Sequence, residues 1–333
     1  MSFISINNTL PDFSDVRVLV VGDVMLDAYQ FGVANRMSAE FPVPVVNLEY
    51  KKYNLGGAAN VAANIKSLGA NVQICSVIGD DNSAKTIKSL LENLEIDSSN
   101  LISSSYRKTT VKKRIIGNNK QLLRIDDEDD FCLNEDEEAK LLNVVFAKID
   151  EMSPQVIVLQ DYNKGVLSAN VIKKITAVAL SKGIKICVDP KKKNFDKYDD
   201  AYIFKPNLKE FSEYCSIIKA DNSKLLAQMQ KFISEHNISV FLLTMADKGV
   251  LLLAKDGTNY HFPAYIRHIA DVSGAGDTVI SAASLLCAVN ASLEDVAHIS
   301  NIAGGLACEK SGIATLTVEE LNSELRKYKS VKQ

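Results

Sequence analysis

Short β-branched runs alternate with helical segments along nearly the whole chain, and no feature of the sequence restricts its fold more. "VRVLVVGD" (16–23) is followed by "GGAANVAANIKSLGA" (56–70), then "VQICSVIGD" (72–80) by "NSAKTIKSLLENL" (82–94). Further on come "QVIVLQD", "SANVIKKITAVALSKG", "IKICVDP", "AYIFKPN", "SVFLLTM" and "GVLLLAK". Continuous apolar runs of strand length are what a strand buried on both faces requires. Strands separated by single helices predict βαβ units: an α/β fold with a mostly parallel sheet and helices on both faces. In such sheets ligands sit beyond the carboxyl ends of the strands. Those ends carry Asp23, Asp80, Asp161, Asp189, Asn207 and Thr244.

Two stretches break the alternation. Residues 29–50 hold alternating extended residues and two prolines without a helix pattern, and residues 105–126 read as a hairpin around "GNNK". Both are expected to form a small second sheet lying over the strand ends as a lid; ordinary surface hairpins are the competing reading. The acidic run "DDEDDFCLNEDEE" reads as a solvated turn leading into a helix, whose start favours acidic side chains.

Composition removes other classes. The chain has 38 Lys and Arg against 41 Asp and Glu, a net charge of −3, so no basic field gathers nucleic acid. The opening "MSFISINNTLPDFSDVRVLVVGD" lacks the basic and apolar regions of a secretion signal, and no run has bilayer-spanning length. Six cysteines without a C-x-x-C pair and four histidines without ligand spacing argue against a zinc site. A soluble cytoplasmic protein that takes a small ligand, neither membrane nor nucleic acid, is the expectation.

The segment "DVSGAGDT" (271–278) precedes the apolar run "VISAASLLCAV". Backbone N–H groups of Gly274, Ala275 and Gly276 at a helix start can converge on an anionic oxygen, and small residues let a phosphate approach the main chain. Asp277 beside that anion hole can take a proton from an attacking hydroxyl. Alone, such a turn can equally be a helix cap. No G-x-x-x-x-G-K-[ST] or G-x-G-x-x-G occurs, so neither a P-loop nor a dinucleotide fingerprint is present. Supporting groups lie elsewhere: Asp23 and Asp27 in "GDVMLD" for sugar hydroxyls, a bend at Gly56 and Gly57, and the Asn60 amide. Asn207 and Glu210 in "KPNLKEF" can reach toward a metal-bound phosphate, although an N-cap and its helix-start acid give the same pattern. Thr244 and Gly249 flank a turn where a nucleotide can lie, or simply a hairpin.

The order "GDVMLD … GGAAN … KPNLKE … TMADKGV … DVSGAGDT" resembles the ribokinase-like sugar kinases, the PfkB family, over roughly residues 12–325, with the lid segments inserted. Val272 and Ser273 stand where that family's closing motif has Thr and a variable residue. The resemblance implies a ribokinase-like three-layer sandwich with a small β-sheet lid, ATP and Mg²⁺ as cofactors, and pairing of two copies through lid strands. "NRMSAEFPVPVV", "KKRIIGNNKQLLRIDDED", "VLQDYNKGVLS" and "VDPK" resemble segments of bacterial heptose-phosphate kinases. This narrower match implies D-glycero-β-D-manno-heptose 7-phosphate as substrate, phosphorylated at O1 on the way to ADP-heptose for lipopolysaccharide. No His-x-Gly-His motif occurs, so adenylylation is expected from a separate nucleotidyltransferase.

A sugar phosphate presents a dianion and many hydroxyls, which call for cations, carboxylates and amides. Arg36, Lys112, Arg114, Arg124 and Lys164 are candidates for the phosphate, with Lys164 and Arg114 foremost; Gln121 and Asn118 are further polar candidates. Within the resemblance, Asp277 is the base, Gly274 to Gly276 hold developing charge, Glu210 meets the metal through water, Asp189 is a further metal candidate, and Asn301 lies on the adenine side. Another sugar or sugar-phosphate kinase of the same fold is the alternative within enzymes. A non-catalytic sugar-binding regulator is the alternative outside them.

Overall fold

The structure is a computed structural model that describes residues 6, 9–217, 221–265, 268–310 and 312–330. Among these residues a nine-stranded sheet combines β1 (Arg17–Gly22), β4 (Asn71–Gly79), β5 (Leu101–Ser104), β8 (Val156–Gln160), β9 (Lys185–Asp189), β10 (Ile203–Phe204), β11 (Val240–Thr244), β12 (Val250–Ala254) and β13 (Asn259–Phe262). Its spatial order is β13-β12-β11-β10-β9-β8-β1-β4-β5. The seven strands from β11 to β5 run parallel, and β12 and β13 extend the edge in antiparallel register.

Side chains alternate between the two faces as the pleat demands. Val18 and Val20 of β1 join one core, with Val156 and Val158 of β8; Leu19, Val21, Ile157 and Leu159 join the other. Helices α1 (Ala58–Ser67), α2 (Asn82–Glu92), α7 (Ala275–Ala288), α8 (Leu293–Cys308) and α9 (Val318–Ser330) contribute to the first core. Helices α3 (Glu135–Met152), α4 (Ala169–Ser181), α5 (Leu208–Cys215) and α6 (Asn222–His236) contribute to the second. Two apolar faces per strand explain the continuous apolar runs: each buried Val or Leu contributes about 1.5–3 kcal/mol, whichever face it points to. The acidic run leads into α3, where Asn134 and Glu137 form a capping box and residues 135–138 place four acids in the first turn.

A four-stranded second sheet, ordered β3-β2-β6-β7, comprises β2 (Val24–Met37), β3 (Pro44–Gly57), β6 (Thr110–Gly117) and β7 (Lys120–Asp127). It is larger than segments 29–50 and 105–126 suggest. β1 ends at Gly22 and the chain enters β2 by Val24, so Asp27 belongs to the second sheet and not to the end of β1. β3 likewise runs to Gly57 and passes directly into α1. The "GNNK" hairpin turns on Asn118 and Asn119, both with positive φ (54° and 62°), between paired Gly117 and Lys120. Two left-handed residues are what a two-residue hairpin loop needs to match strand twist.

Candidate active site

Helix α7 starts at the glycine segment. Gly274 is its N-cap in the left-handed region (φ 82°), and no described side chain caps it. The Ala275 N–H makes a long bond to the Val272 carbonyl (3.4 Å), and those of Gly276 and Asp277 remain available to an anion, with the helix dipole adding attraction. At Gly276 a Cβ would lie 3.6 Å from the Lys205 ammonium and 3.9 Å from the Asp189 carboxylate, so the backbone here sits beside a buried ion pair.

Asp277 is the centre of the cluster and is 2 % exposed. Its Oδ2 accepts from Asn60 Nδ2 at 2.7 Å; its Oδ1 accepts from Gln160 Nε2 at 3.0 Å and from the Tyr162 hydroxyl at 2.7 Å. Asn64, one turn along α1, donates to Asn60 Oδ1 at 3.1 Å, which turns the Asn60 amide N–H₂ toward Asp277. Burial pushes the Asp277 carboxyl up to about 7, helped by the nearby Asp189 charge and opposed by the bonds from Asn60 and Tyr162 and by Lys205. A carboxylate tuned to neutral pH is suited to general-base work.

Gln160 and Tyr162 were not among the residues expected from sequence. They flank Asp161 at the end of β8, and strand alternation sends them one way and Asp161 the other. Asp161 instead accepts from Asn163 N–H, Asn194 Nδ2 and the Tyr198 hydroxyl, so it shapes its loop. Lys205, directly after β10, was also missed; it is 2 % exposed and its Nζ lies 3.1 Å from Asp189 Oδ1. The sequence signal for Lys205 is its position at a strand end, in the same "KPN" that supplies Asn207.

Asp189 was a metal candidate, and the Lys205 ammonium already supplies its counter-charge. Asp23 was expected to meet sugar hydroxyls, but its carboxylate accepts the backbone N–H groups of Tyr162 (2.7 Å), Lys164 (3.0 Å) and Val166 (3.1 Å). Its own backbone carbonyl accepts from Ala58 N–H. Asp23 thus ties the loop after β8 to the start of α1, and burial pushes its carboxyl up in spite of those bonds.

Asp27 faces the cluster from the second sheet, 2 % exposed and paired with the Arg114 guanidinium of β6. Burial pushes the Asp27 carboxyl up, and Arg114 opposes that rise. Arg114 also lies over the Tyr29 ring, 5.1 Å from its centroid. Gly56 is opposite: a Cβ there would fall 2.3 Å from Asp27 Oδ2. Gly57 has φ 58° and its absent Cβ leaves room for the Asp23 carbonyl. Asn54 Nδ2, close to Gly312, is a buried polar atom without a hydrogen-bond partner among the described residues.

Other candidates are more peripheral. Lys164 Nζ pairs with Glu128 at 2.7 Å, and Lys112 lies 3.8 Å from Asp126 and 3.9 Å from Glu128. Arg124 pairs with Asp126, Asn118 exchanges bonds with Ala34 of the neighbouring β2, and Arg36 is exposed. Gln121 is exposed on β7, the outer strand of the second sheet, and makes no described hydrogen bond to the cluster. Its polar side chain is accounted for by a solvated edge.

At the far end of the site, Asn207 and Glu210 form a capping box at the start of α5, with bonds of 2.8 and 2.9 Å. The other Glu210 oxygen pairs with Lys191, whose Nζ lies 5.1 Å from the centroid of the Tyr162 ring. With both oxygens engaged, Glu210 suits contact with a hydrated Mg²⁺ through water better than direct ligation. Thr244 bridges to Asn207 as an isolated β-bridge, and Gly249 (φ 85°) turns between β11 and β12 with its absent Cβ against the Phe262 carbonyl. Asn301 Nδ2 donates to the Pro263 carbonyl at 2.7 Å. No group of three or more His, Cys, Asp or Glu side chains that could hold a metal occurs among the described residues. Nor is any described helix long and apolar enough to cross a membrane.

Residues 16–320 match the family described as pfkB family carbohydrate kinase. The chain is 38% identical over 318 residues to the bifunctional protein HldE of Methylobacillus flagellatus, covering 96% of this chain and 65% of that protein. It is 37% identical over 305 residues to the bifunctional protein HldE of Aliarcobacter butzleri, covering 92% and 63%. The chain therefore spans slightly less than two thirds of the length of these relatives. Among solved structures, Escherichia coli phosphofructokinase-2 in complex with potassium superposes with a TM-score of 0.79 at 18% identity, over 95% of this chain and 99% of that one. Arabidopsis thaliana ribokinase complexed with ribose and ATP gives 0.72 at 15% identity, over 93% and 99%. Both share the fold: a mostly parallel sheet between helices with a smaller sheet above.

Proposed function

The chain belongs to the pfkB family of carbohydrate kinases, and on that premise we propose that it transfers the γ-phosphoryl group of ATP to O1 of D-glycero-β-D-manno-heptose 7-phosphate. The observation that carries the chemistry is Asp277: a buried carboxylate raised to about 7, in the first turn of a helix whose N-terminus is left uncapped. The anomeric hydroxyl attacks the γ-phosphorus in line, the bond to the β–γ bridging oxygen breaks, and ADP leaves. The hydroxyl proton passes to Asp277, and the product is the 1,7-bisphosphate. N–H groups of the 274–276 segment and the Lys205 ammonium offset charge on the transferring group. Asn207, Thr244, Gly249 and Asn301 line the nucleotide side. Glu210 would hold Mg²⁺ through its water shell when the ion is bound with ATP, and the ion would supply charge neutralisation at the phosphates.

The sugar reading is supported by the second sheet. A heptose phosphate needs hydroxyl acceptors and cations together, and Asp27, Arg114 and Lys112 of this sheet, with Lys164 from the loop after β8, provide both. The unpartnered Asn54 Nδ2 adds a donor in the same quarter. Two of the heptose-kinase-like segments, 35–46 and 112–129, fall in or beside the strands of this sheet, the other two fall at the ends of β8 and β9, and the relatives reported above are bifunctional HldE proteins. Two copies are proposed to pair through the second sheet, where Phe41, Leu48, Tyr50, Leu123 and Ile125 are exposed on edge strands or their turns. The domain is proposed to run from about residue 12 to 325, and an ADP-heptose route is the proposed setting.

The test is ATP-dependent phosphorylation of the heptose 7-phosphate beside ribose, fructose and fructose 6-phosphate, with ³¹P NMR of the product. A new anomeric phosphate on the heptose alone is expected. Turnover of another sugar instead would keep the kinase and replace the substrate. Binding without turnover of any of them would favour a regulator.

A further inference from the structure

Asp277 has little unused capacity as a proton acceptor in this structure. Oδ1 takes two donors, Gln160 Nε2 and the Tyr162 hydroxyl, and Oδ2 takes Asn60. An attacking hydroxyl has to come within hydrogen-bond reach of this same carboxylate before it can give up its proton. Asn60 and Gln160 are held from behind, by Asn64 and by a second bond from Gln160 Nε2 to Asp189 at 3.1 Å. Tyr162 is different. Its backbone is clamped by Asp23, but its hydroxyl makes a single described bond, to Asp277, and the residue as a whole is half-buried. Rotation of one side chain releases it with no change in the main chain.

We propose that the Tyr162 hydroxyl occupies the proton-accepting position of Asp277 when no sugar is bound, and that the attacking sugar hydroxyl takes its place. This step rests on the kinase reading above. It gives Tyr162 a positioning role with a definite purpose. Without sugar, a water molecule that attacked the γ-phosphorus would have to lose its proton to Asp277 as ADP left, giving inorganic phosphate; the phenol excludes water from that position. A phenol suits the task because burial and the neighbouring carboxylates keep it protonated and a donor, well above its ordinary range. The Lys191 ammonium over the ring pairs with Glu210, so the blocked state is braced from the nucleotide side.

The experiment is Tyr162→Phe, which keeps the ring over Lys191 and deletes the hydroxyl. ATP hydrolysis without sugar is expected to rise about tenfold, the worth of one lost hydrogen bond to a charged group. The titratable groups facing Asp277 are Asp189 of β9, Lys191 just beyond it, Lys205 after β10 and Tyr162 after β8. With one bond to the ionised form removed, the acid limb of kcat/KM for sugar phosphorylation should move to higher pH. A merely structural role would lower both activities and leave the pH profile in place. Unchanged sugar-free hydrolysis and an unmoved profile, in a variant that still phosphorylates sugar, overturn the proposal alone. A wild-type protein that phosphorylates no sugar overturns the kinase reading, and this proposal with it. A wild-type crystal structure with the heptose 7-phosphate bound gives an independent check: the Tyr162 hydroxyl should have left Asp277, and a distance still near 2.7 Å with sugar in place overturns the exchange.

Discussion

Asn60 on α1 donates to Asp277 on α7 at 2.7 Å across 217 residues of sequence, and Asn64 turns the amide so that its N–H₂ does so. The bond joins the end of the second sheet, through Gly56 and Gly57, to the helix that carries the candidate base. The chemistry of Asp277 thus depends on where α1 begins, and the predictions below follow from that connection.

Asp277→Asn should lower kcat by about 10²–10⁴-fold, the usual worth of a general base, with sugar binding retained. In the wild type, activity should rise with pH through about 7 as the carboxyl loses its proton. A pH–rate series with binding measured by calorimetry checks both. Near-normal turnover in the variant would remove Asp277 from the base role.

Stability should show the same group with the opposite sign. Asp277 holds its proton more tightly folded than unfolded, so between the ordinary carboxylate range and about 7 the native state binds more protons than the unfolded one. Its contribution is therefore greatest at low pH and falls as pH rises through that window. Thermal melts of wild type and Asp277→Asn from acid to mildly alkaline pH should show the gap between them shifting in favour of the variant.

Gly56→Ala places a methyl group 2.3 Å from Asp27 Oδ2, where no real contact is tolerated. The carboxylate has to move off its Arg114 partner. We expect the sugar KM to rise at least tenfold while the KM for ATP changes little, because Asn207, Thr244, Gly249 and Asn301 belong to other elements, at α5, β11, the turn after it and α8. Equal effects on both would mean that the sheet as a whole had shifted.

Arg114→Met removes one member of a buried pair and strands Asp27 at 2 % exposure. Breaking such a pair costs about 3–5 kcal/mol, less whatever Asp27 recovers by taking up a proton. Denaturant unfolding should show the loss, and it should shrink at low pH. A loss that is flat with pH would show that Asp27 is not the stranded charge.

Leu123→Glu on exposed β7 should leave the fold intact, since the side chain contributes to neither core, and should dissociate the proposed pair. Sedimentation velocity reads the outcome directly. A wild type that sediments as a monomer at all accessible concentrations excludes pairing through this sheet.

Much of the molecule is legible from local pattern. β-branched runs, glycine stops and capping residues predict the parallel sheet because each is satisfied within a few residues, and Gly274 to Asp277 stand out because a helix start must expose its N–H groups. Asp27, Arg114 and Asn60 were also among the candidates, each from a motif rather than from a contact. What the chain could not disclose locally is which polar groups face each other. Asp23 and Asp27 are four residues apart and look alike in sequence, yet one is consumed by backbone N–H groups of a loop about 140 residues away and the other meets a guanidinium on another strand. Gln160 and Tyr162 have no pattern of their own, and Lys205 is marked only by its place at a strand end, which does not say what it faces. Only the packing of β8, β9 and β10 beneath α7 brings them to Asp277 and Asp189. Secondary structure follows from short-range sterics and hydrophobic spacing, whereas the site is a set of buried polar groups whose energies depend on partners that only the folded chain supplies.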